Sequence, residues 1–197
     1  GNITELLADK GYDMIGVDYS QEMLNMAIEK RKNDGILYLC QDMRELDLYG
    51  TVAAVVSLCD SINYITEFED LVTTFDPGGI FVFDLKTIEL YRSIGESVIA
   101  EDREDCSFIW DNYFDEEDCI NEYMLSIFVK GDDNRYDKFS DEHYQRAYTV
   151  EEIKEALKLA GLEFVTVYDA FTRNEPNSES ERIYVVAREC QKNQVSK

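Results

Sequence analysis

The stretch Met14-Ile-Gly-Val-Asp-Tyr-Ser-Gln-Glu-Met-Leu24 runs from a short apolar strand, through an acid, into a helix. Its reading turns on why a carboxylate should stand where a buried strand ends. In open α/β sheets, ligands bind outside the carboxyl ends of the strands. A nucleotide ribose bound there presents two vicinal O–H donors, and a carboxylate answers them with two acceptor oxygens. Asp18 occupies such a strand tip, 17 residues after Gly1, close to the spacing of about 20 between glycine turn and ribose acid in dinucleotide folds. Gly1 then reads as the last glycine of a tight turn, where bare backbone at a helix start lets a ligand approach. Taken alone, Asp18 reads equally well as a helix cap or a surface acid.

Outward from this point the chain alternates helices and apolar strands. Residues 2–10 carry Ile3, Leu6 and Leu7 at helical spacing and stop at Gly11. Ser20 is placed to cap a helix whose apolar face is Met23, Leu24, Ala27 and Ile28. Ile36–Cys40 forms the next strand and leads to Asp42, a second strand-end acid that could meet an adenine edge or simply close a turn. The apolar run Thr51–Cys59 predicts a central parallel strand buried on both faces. Thr66-Glu67-Phe68-Glu69 has the pattern of a capping box, followed by Phe68, Leu71, Val72 and Phe75 on one helical face. Pro77-Gly78-Gly79 then turns the chain into the strand Ile80–Asp84. This order implies a doubly wound α/β sheet.

The rhythm changes after about residue 96. Ser107–Phe114 and Glu122–Val129 alternate polar with apolar or aromatic residues and are separated by turn-like segments. They predict an antiparallel β-meander inserted into the α/β order. A second capping box, Thr149–Glu152, restarts the helical pattern with Ile153, Ala156, Leu157 and Ala160, and strands Glu163–Tyr168 and Arg182–Ala187 follow. The domain expectation is therefore residues 1–96 with 149–190 as a cofactor-binding Rossmann-like part, and residues 97–148 as an inserted β lobe. The polar tail after Cys190 is expected to fray.

Composition bounds the function. The chain has 197 residues, 45% of them apolar, with 13 Tyr and 10 Phe, as suits one folded domain with a lobe. A net charge of −23 argues against nucleic acid as a partner and favours small molecules or cations. No run is long enough to cross a bilayer and the first residues form no signal peptide, so a cytoplasmic protein is expected. Five scattered cysteines, with Cys40 and Cys59 read as small buried hydrophobes, and a single histidine give no metal site. The chain opens abruptly on Gly1-Asn2-Ile3-Thr4, and further residues are expected ahead of it.

Together the segments "GVDYSQEMLNMA", "LYLCQDMREL", "VVSLCDSINYI", "PGGIFVFDL" and "EHYQRAYTVEEIKEALKLAGLEFV" resemble the class I S-adenosylmethionine-dependent methyltransferases. The last segment is similar to a bacterial subgroup with a β-rich insertion and poorly defined substrates. The resemblance implies S-adenosyl-L-methionine as cofactor. Asp18 would bind the ribose with Tyr19 beside it, and Asp42 with Met43 the adenine. Gly1 would belong to the glycine loop and Cys59 would lie beside the cofactor. It departs from the family before Pro77, where relatives place a Leu and a Lys-like residue and this chain reads Phe75-Asp76.

Methyl transfer from a sulfonium is an in-line displacement. It needs alignment and exclusion of water, and a general base only for a protonated acceptor. The acceptor side is expected in the insertion and the Asp60–Tyr64 loop. Its candidates are Asn63, Tyr64, Trp110, Tyr113, Gln145 and Tyr148, with His143 as a base and Arg146 as a clamp for an anionic group. Each has a plainer alternative: a structural histidine, a salt-bridged arginine, packed aromatics. Trp110 and Tyr113 fall on opposite faces of one strand, so at most one faces a pocket. The partner expected is a small-molecule methyl acceptor. A nicotinamide-dependent oxidoreductase, and a non-catalytic nucleoside-binding module with the meander as a homodimer or partner surface, are the competing readings.

Overall fold

A computed structural model describes residues 1–48, 50–75 and 79–189. They fall into two compact units, Gly1–Gly50 and the chain from Thr51 onward. Cys190 and the tail beyond it, and Pro77-Gly78 of the expected turn, lie outside the described residues.

In the first unit, helix α1 (Asn2–Ala8) leads to strand β1 (Ile15–Asp18), helix α2 (Gln21–Lys30) and strand β2 (Leu37–Cys40). β1 and β2 pair in parallel, with Asp18 opposite Cys40. Ser20 caps α2 as its position suggested, accepting the Met23 N–H at 3.2 Å. Leu24 of α2 and Ile36 before β2 are buried.

The second unit starts with β3 (Ala54–Ser57), a 3-10 turn (Ser61–Tyr64), α3 (Phe68–Thr74), β4 (Ile80–Lys86) and α4 (Ile88–Ile94). Four long antiparallel strands follow: β5 (Ser97–Asp102), β6 (Cys106–Asp115), β7 (Ile120–Lys130) and β8 (Tyr136–Arg146). Helix α5 (Val150–Leu159) and strands β9 (Leu162–Asp169) and β10 (Arg182–Glu189) complete the unit. One sheet has the order β3-β4-β10-β9, parallel between β3 and β4 and antiparallel elsewhere; the other has the order β5-β6-β7-β8. The second sheet runs from Ser97 to Arg146, whereas compactness divides the chain between Gly50 and Thr51.

β4 is the central strand, which is why it reads "IFVFDLK" with so few breaks. Phe81, Phe83 and Leu85 are buried, and their layer meets Phe75, with Phe75, Phe81 and Phe83 ring centroids 4.7–5.6 Å apart. Ile153 and Leu157 of α5 and Val185 of β10 are also fully buried. Gly79 immediately precedes β4 at φ +84°, and a Cβ there would stand 2.5 Å from the Ala53 carbonyl oxygen, so only glycine fits.

Several expectations are corrected. The run Thr51–Cys59 yields only the four-residue β3, which pairs with β4 alone among the described residues and leaves Val56 43% exposed. An apolar run records a strand's composition, whereas burial on two faces also needs a neighbour on each side. Cys40 and Cys59 are exposed rather than buried, because both stand at strand ends. Thr66 forms no capping box: Glu67 is the N-cap of α3, without a side-chain bond, and the Thr66 carbonyl instead accepts Arg146 Nη1 at 3.0 Å. The meander has four strands where two were foreseen. No helix among the described residues is long and apolar enough to cross a membrane.

The second capping box does form. Thr149 Oγ1 accepts the Glu152 N–H at 3.1 Å and Glu152 Oε2 accepts the Thr149 N–H at 2.8 Å. Replacing Thr149 with Ala is expected to cost about 1 kcal/mol. A thermal melt should show it as a fall of roughly 2–4 °C.

Candidate functional site

In the first unit, two acids stand beyond the carboxyl ends of adjacent parallel strands. Asp18 ends β1, and its Oδ1 accepts the Ser20 N–H at 2.9 Å. That bond orients the carboxylate and leaves Oδ2 for a hydroxyl donor. Tyr19 beside it is 78% exposed. Asp42 caps a 3-10 turn (Met43–Glu45), accepting the Arg44 N–H at 2.9 Å and the Arg44 guanidinium at 2.6–3.1 Å. The Arg44 side-chain bonds hold the Asp42 carboxyl below its ordinary range, against a smaller opposing effect of burial. The plainer reading of each acid is therefore also its local role: one orients a turn, the other closes one. Asp18 keeps acceptor capacity, whereas the Asp42 carboxylate is committed to Arg44. A purine edge here would be met more readily by the backbone of the Met43 turn. At Gly1 an added Cβ would come within 2.7 Å of Ala27 Cβ, so backbone alone fits at the start of α1.

In the second unit the end of β3 enters a buried ionic lattice. Cys59 and Asp60 both have positive φ, 67° and 55°. Asp tolerates this left-handed conformation better than most residues. The Asp60 N–H is held by Asp84 Oδ1 at 3.0 Å. Asp60 Oδ2 takes Lys86 Nζ at 2.8 Å and Gln145 Nε2 at 2.9 Å, while Oδ1 takes Arg182 Nη2 at 2.9 Å. Arg182 Nη1 reaches Asp84 Oδ2. Two acids and two cations balance within a shared set of bonds. Burial pushes the Asp60 carboxyl up, but the bonds from Lys86, Arg182 and Gln145 together prevail and hold it below its usual range.

Above this lattice lies an aromatic wall on one face of the β5–β8 sheet. Register places Tyr123 opposite both Asn112 and His143, and Trp110 two pairs along, on the same face. Trp110 stacks on Tyr123 at 4.4 Å, and His143 stacks on Tyr123 at 4.6 Å. Tyr64, from the 3-10 turn after Asp60, meets His143 edge-on at 5.7 Å and shares a 2.7 Å hydrogen bond with the Tyr123 hydroxyl. Burial raises both phenols far from any physiological ionisation, Tyr123 further through the bond to Tyr64. They can donate or relay hydrogen bonds but cannot act as bases. His143 Nε2 lies 3.3 Å from Asp141 Oδ2.

Of the foreseen acceptor-side residues, Tyr64, Trp110 and His143 come together here. Tyr113 is on the opposite face and half exposed. Asn63 is buried, donating to the carbonyls of Lys86 at 3.1 Å and Arg146 at 2.8 Å. Arg146 binds the Thr66 carbonyl, pairs with Glu152 at 3.1 Å and lies over the Tyr148 ring. Tyr148 donates to the Ile65 carbonyl at 2.6 Å, and burial pushes its phenol up to about 12. Gln145 is fully buried in the lattice. Sequence reading missed Tyr123, Asp84, Lys86, Tyr91 and Arg182. The polar residues at the end of "IFVFDLK" were the available signal: a carboxylate and an ammonium closing a buried strand need partners.

The model of a methyltransferase domain family matches residues 1–79. YqeM of Bacillus subtilis (strain 168), provisionally named a methyltransferase, is 36% identical over 197 residues, covering 95% of this chain and 79% of YqeM. The crystal structure of an S-adenosylmethionine-dependent methyltransferase from Clostridium acetobutylicum ATCC 824 is similar with a TM-score of 0.86 and 29% identity, covering 96% of this chain and 80% of that one. The CcbJ methyltransferase of Streptomyces caelestis shares the fold at a TM-score of 0.78 and 19% identity, covering 93% of this chain and 77% of its own. With two strand-tip acids, a Rossmann-like order and an inserted antiparallel sheet, the chain belongs to the class I S-adenosylmethionine-dependent methyltransferases.

Proposed function

We propose that the methyl acceptor is an amine nitrogen of a small molecule, held against the Trp110–Tyr123–His143 wall, and that His143 takes its proton. The observation that carries this reading is the His143 imidazole, stacked on Tyr123 and set 3.3 Å from the Asp141 carboxylate. Aromatic faces attract an ammonium. Asp141 adds a carboxylate, while the nearby cations Lys86 and Arg182 are already neutralised by Asp60 and Asp84. The net charge of −23 also enriches cations near the surface. More distant structures of this fold, at 18% and 15% identity, are named as a sugar N-methyltransferase and a glycopeptide N-methyltransferase.

The cofactor supplies an electrophilic methyl on a sulfonium that departs as a neutral thioether. The chain's share is binding and proton handling. Asp18 accepts from the ribose hydroxyls. The aromatic wall fixes the amine and keeps water from it. A protonated amine has no lone pair to offer, so a ring nitrogen of His143 must first accept the N–H proton, with the Asp141 carboxylate, 3.3 Å from Nε2, stabilising the imidazolium. With that proton held on His143, the amine lone pair would be free to take the methyl that the cofactor would supply.

Methyl-labelled S-adenosylmethionine incubated with a panel of amines, phenols and carboxylates tests the acceptor class. Label is expected in the amine products, and label confined to phenols or carboxylates would overturn it. His143→Gln should lower transfer about tenfold to a hundredfold below the pKa of the amine, because base catalysis matters only while the acceptor is protonated. The deficit should shrink as pH rises past that value, which a pH–rate profile reads directly.

A further inference from the structure

His143 and Gln145 are two residues apart on β8, so their side chains leave the same face of the sheet. We infer that Gln145 is a positioning residue for His143, a proposal that rests on the role just given to that histidine. The Gln145 side chain is fully buried and its amide is spent on fixed groups. Nε2 donates to Asp60 Oδ2 at 2.9 Å, and Oε1 accepts Lys86 Nζ and the Tyr91 hydroxyl, each at 3.1 Å. These partners come from the end of β3, from β4 and from α4. An amide so engaged does not read a substrate; it anchors the strand that carries it.

β8 needs such an anchor. It is the last strand of its sheet, paired among the described residues only with β7, and residues 136–142 are exposed. An edge strand is held laterally on one side alone. At its carboxyl end the ties beyond the sheet are Gln145, the Asn63 bond to the Arg146 carbonyl and the Arg146 side chain on Thr66 and Glu152; of these, Gln145 shares the face of His143 and reaches Asp60. Asp60 immediately precedes the turn that carries Tyr64. The Gln145–Asp60 bond therefore joins the strand bearing His143 to the segment bearing Tyr64, and so sets the 5.7 Å ring contact between them. Glutamine suits this post because one terminus donates and the other accepts. A Glu would face the Asp60 carboxylate with a second negative charge, whereas an Ala would leave the Lys86, Tyr91 and Asp60 groups short of a partner.

His143 is the only histidine of the chain, so proton NMR of the intact protein shows a single imidazole. Stacking on Tyr123 displaces its Hε1 resonance by ring current. In Gln145→Ala this resonance is expected to move toward its unfolded-chain position, and contacts between the His143 and Tyr123 ring protons are expected to weaken. In Gln145→Glu the departure of this resonance from its wild-type position should be present at neutral pH and fall away on acidification, measured against wild type at each pH, because a protonated Glu can donate to Asp60 as the amide does. Tyr91→Phe, which removes one of the bonds without altering charge, should give a smaller movement in the same direction and carries the test if the Gln145 variants do not fold. A His143 resonance and ring contacts unchanged from wild type in the folded variants would overturn the inference. The readout needs no acceptor: movement of His143 with transfer unaffected by His143→Gln would uphold the positioning and refute the base.

Discussion

Asp18→Ala should weaken binding of S-adenosylhomocysteine by on the order of 100- to 1,000-fold, since two charge-assisted hydrogen bonds to ribose hydroxyls are lost together. The fold should barely notice. Asp18 is exposed and makes one bond within the protein, from the Ser20 N–H, worth about 1 kcal/mol or less at such a site. Asp18→Asn separates the two contributions. It can still accept from Ser20 and from one hydroxyl, but without charge, so about tenfold weakening is expected. Asp42→Ala should cost less than Asp18→Ala, because the Asp42 carboxylate already serves Arg44. Calorimetric titration with S-adenosylhomocysteine, accompanied by a melt of each free variant, measures both quantities. Equal affinity of Asp18→Ala and wild type would show that no ribose is held at this strand tip.

How much of this was legible beforehand follows from which physical signals are local. Strand-tip acids are local: Asp18 and Asp42 announce themselves by position after an apolar run. So are α5 and its cap, where Thr149 and Glu152 satisfy each other within one turn. β8 was not legible as a strand. Its sequence "YDKFSDEHYQR" keeps little apolar alternation, because residues 136–142 face solvent and only the final residues touch the interior. β5, "SVIAED", likewise lacks a clear period, since only Ser97 on it is even half-buried. Without β8 the run Glu142–Tyr148 read as a polar cluster before a helix, and His143, Gln145 and Arg146 looked alike. The register then divides them. His143 joins the aromatic wall, Gln145 enters the ionic lattice, and Arg146 turns back to Thr66 and Glu152. Tyr123 escaped notice for a related reason: a tyrosine in an alternating strand has no local mark of function. Its place in the site is set by strands 20 residues later and by a turn nearly 60 residues earlier.

The lattice beneath the wall should dominate stability. Asp84→Ala is expected to cost about 3–5 kcal/mol, the range for breaking a buried ion pair from one side. A melt should register this as a fall of roughly 6–20 °C for a chain of this size. The Asp84 side chain is 4% exposed and serves two groups at once, Arg182 through Oδ2 and the left-handed Asp60 backbone N–H through Oδ1. Its removal leaves a guanidinium that is only about a quarter exposed short of one partner, and frees the end of β3. Removing both partners, as in Asp84→Leu with Arg182→Leu, should recover much of the loss, because Asp60 and Lys86 still neutralise each other and no unpaired charge is left behind. The same lattice dictates a response to acid. Asp60 titrates below its unfolded value of about 3.9. Its contribution is therefore complete above that pH and is lost as pH falls through the lower native value. Wild-type stability should thus decline below about pH 4 as Asp60 gains a proton, Lys86 loses its counter-charge and Arg182 is left with Asp84 alone. A melting temperature of Asp84→Ala within a degree or two of wild type at neutral pH would mean that these four charges are solvated rather than buried. In that event the floor of the aromatic wall would be water, and an amine bound there would be hydrated instead of held.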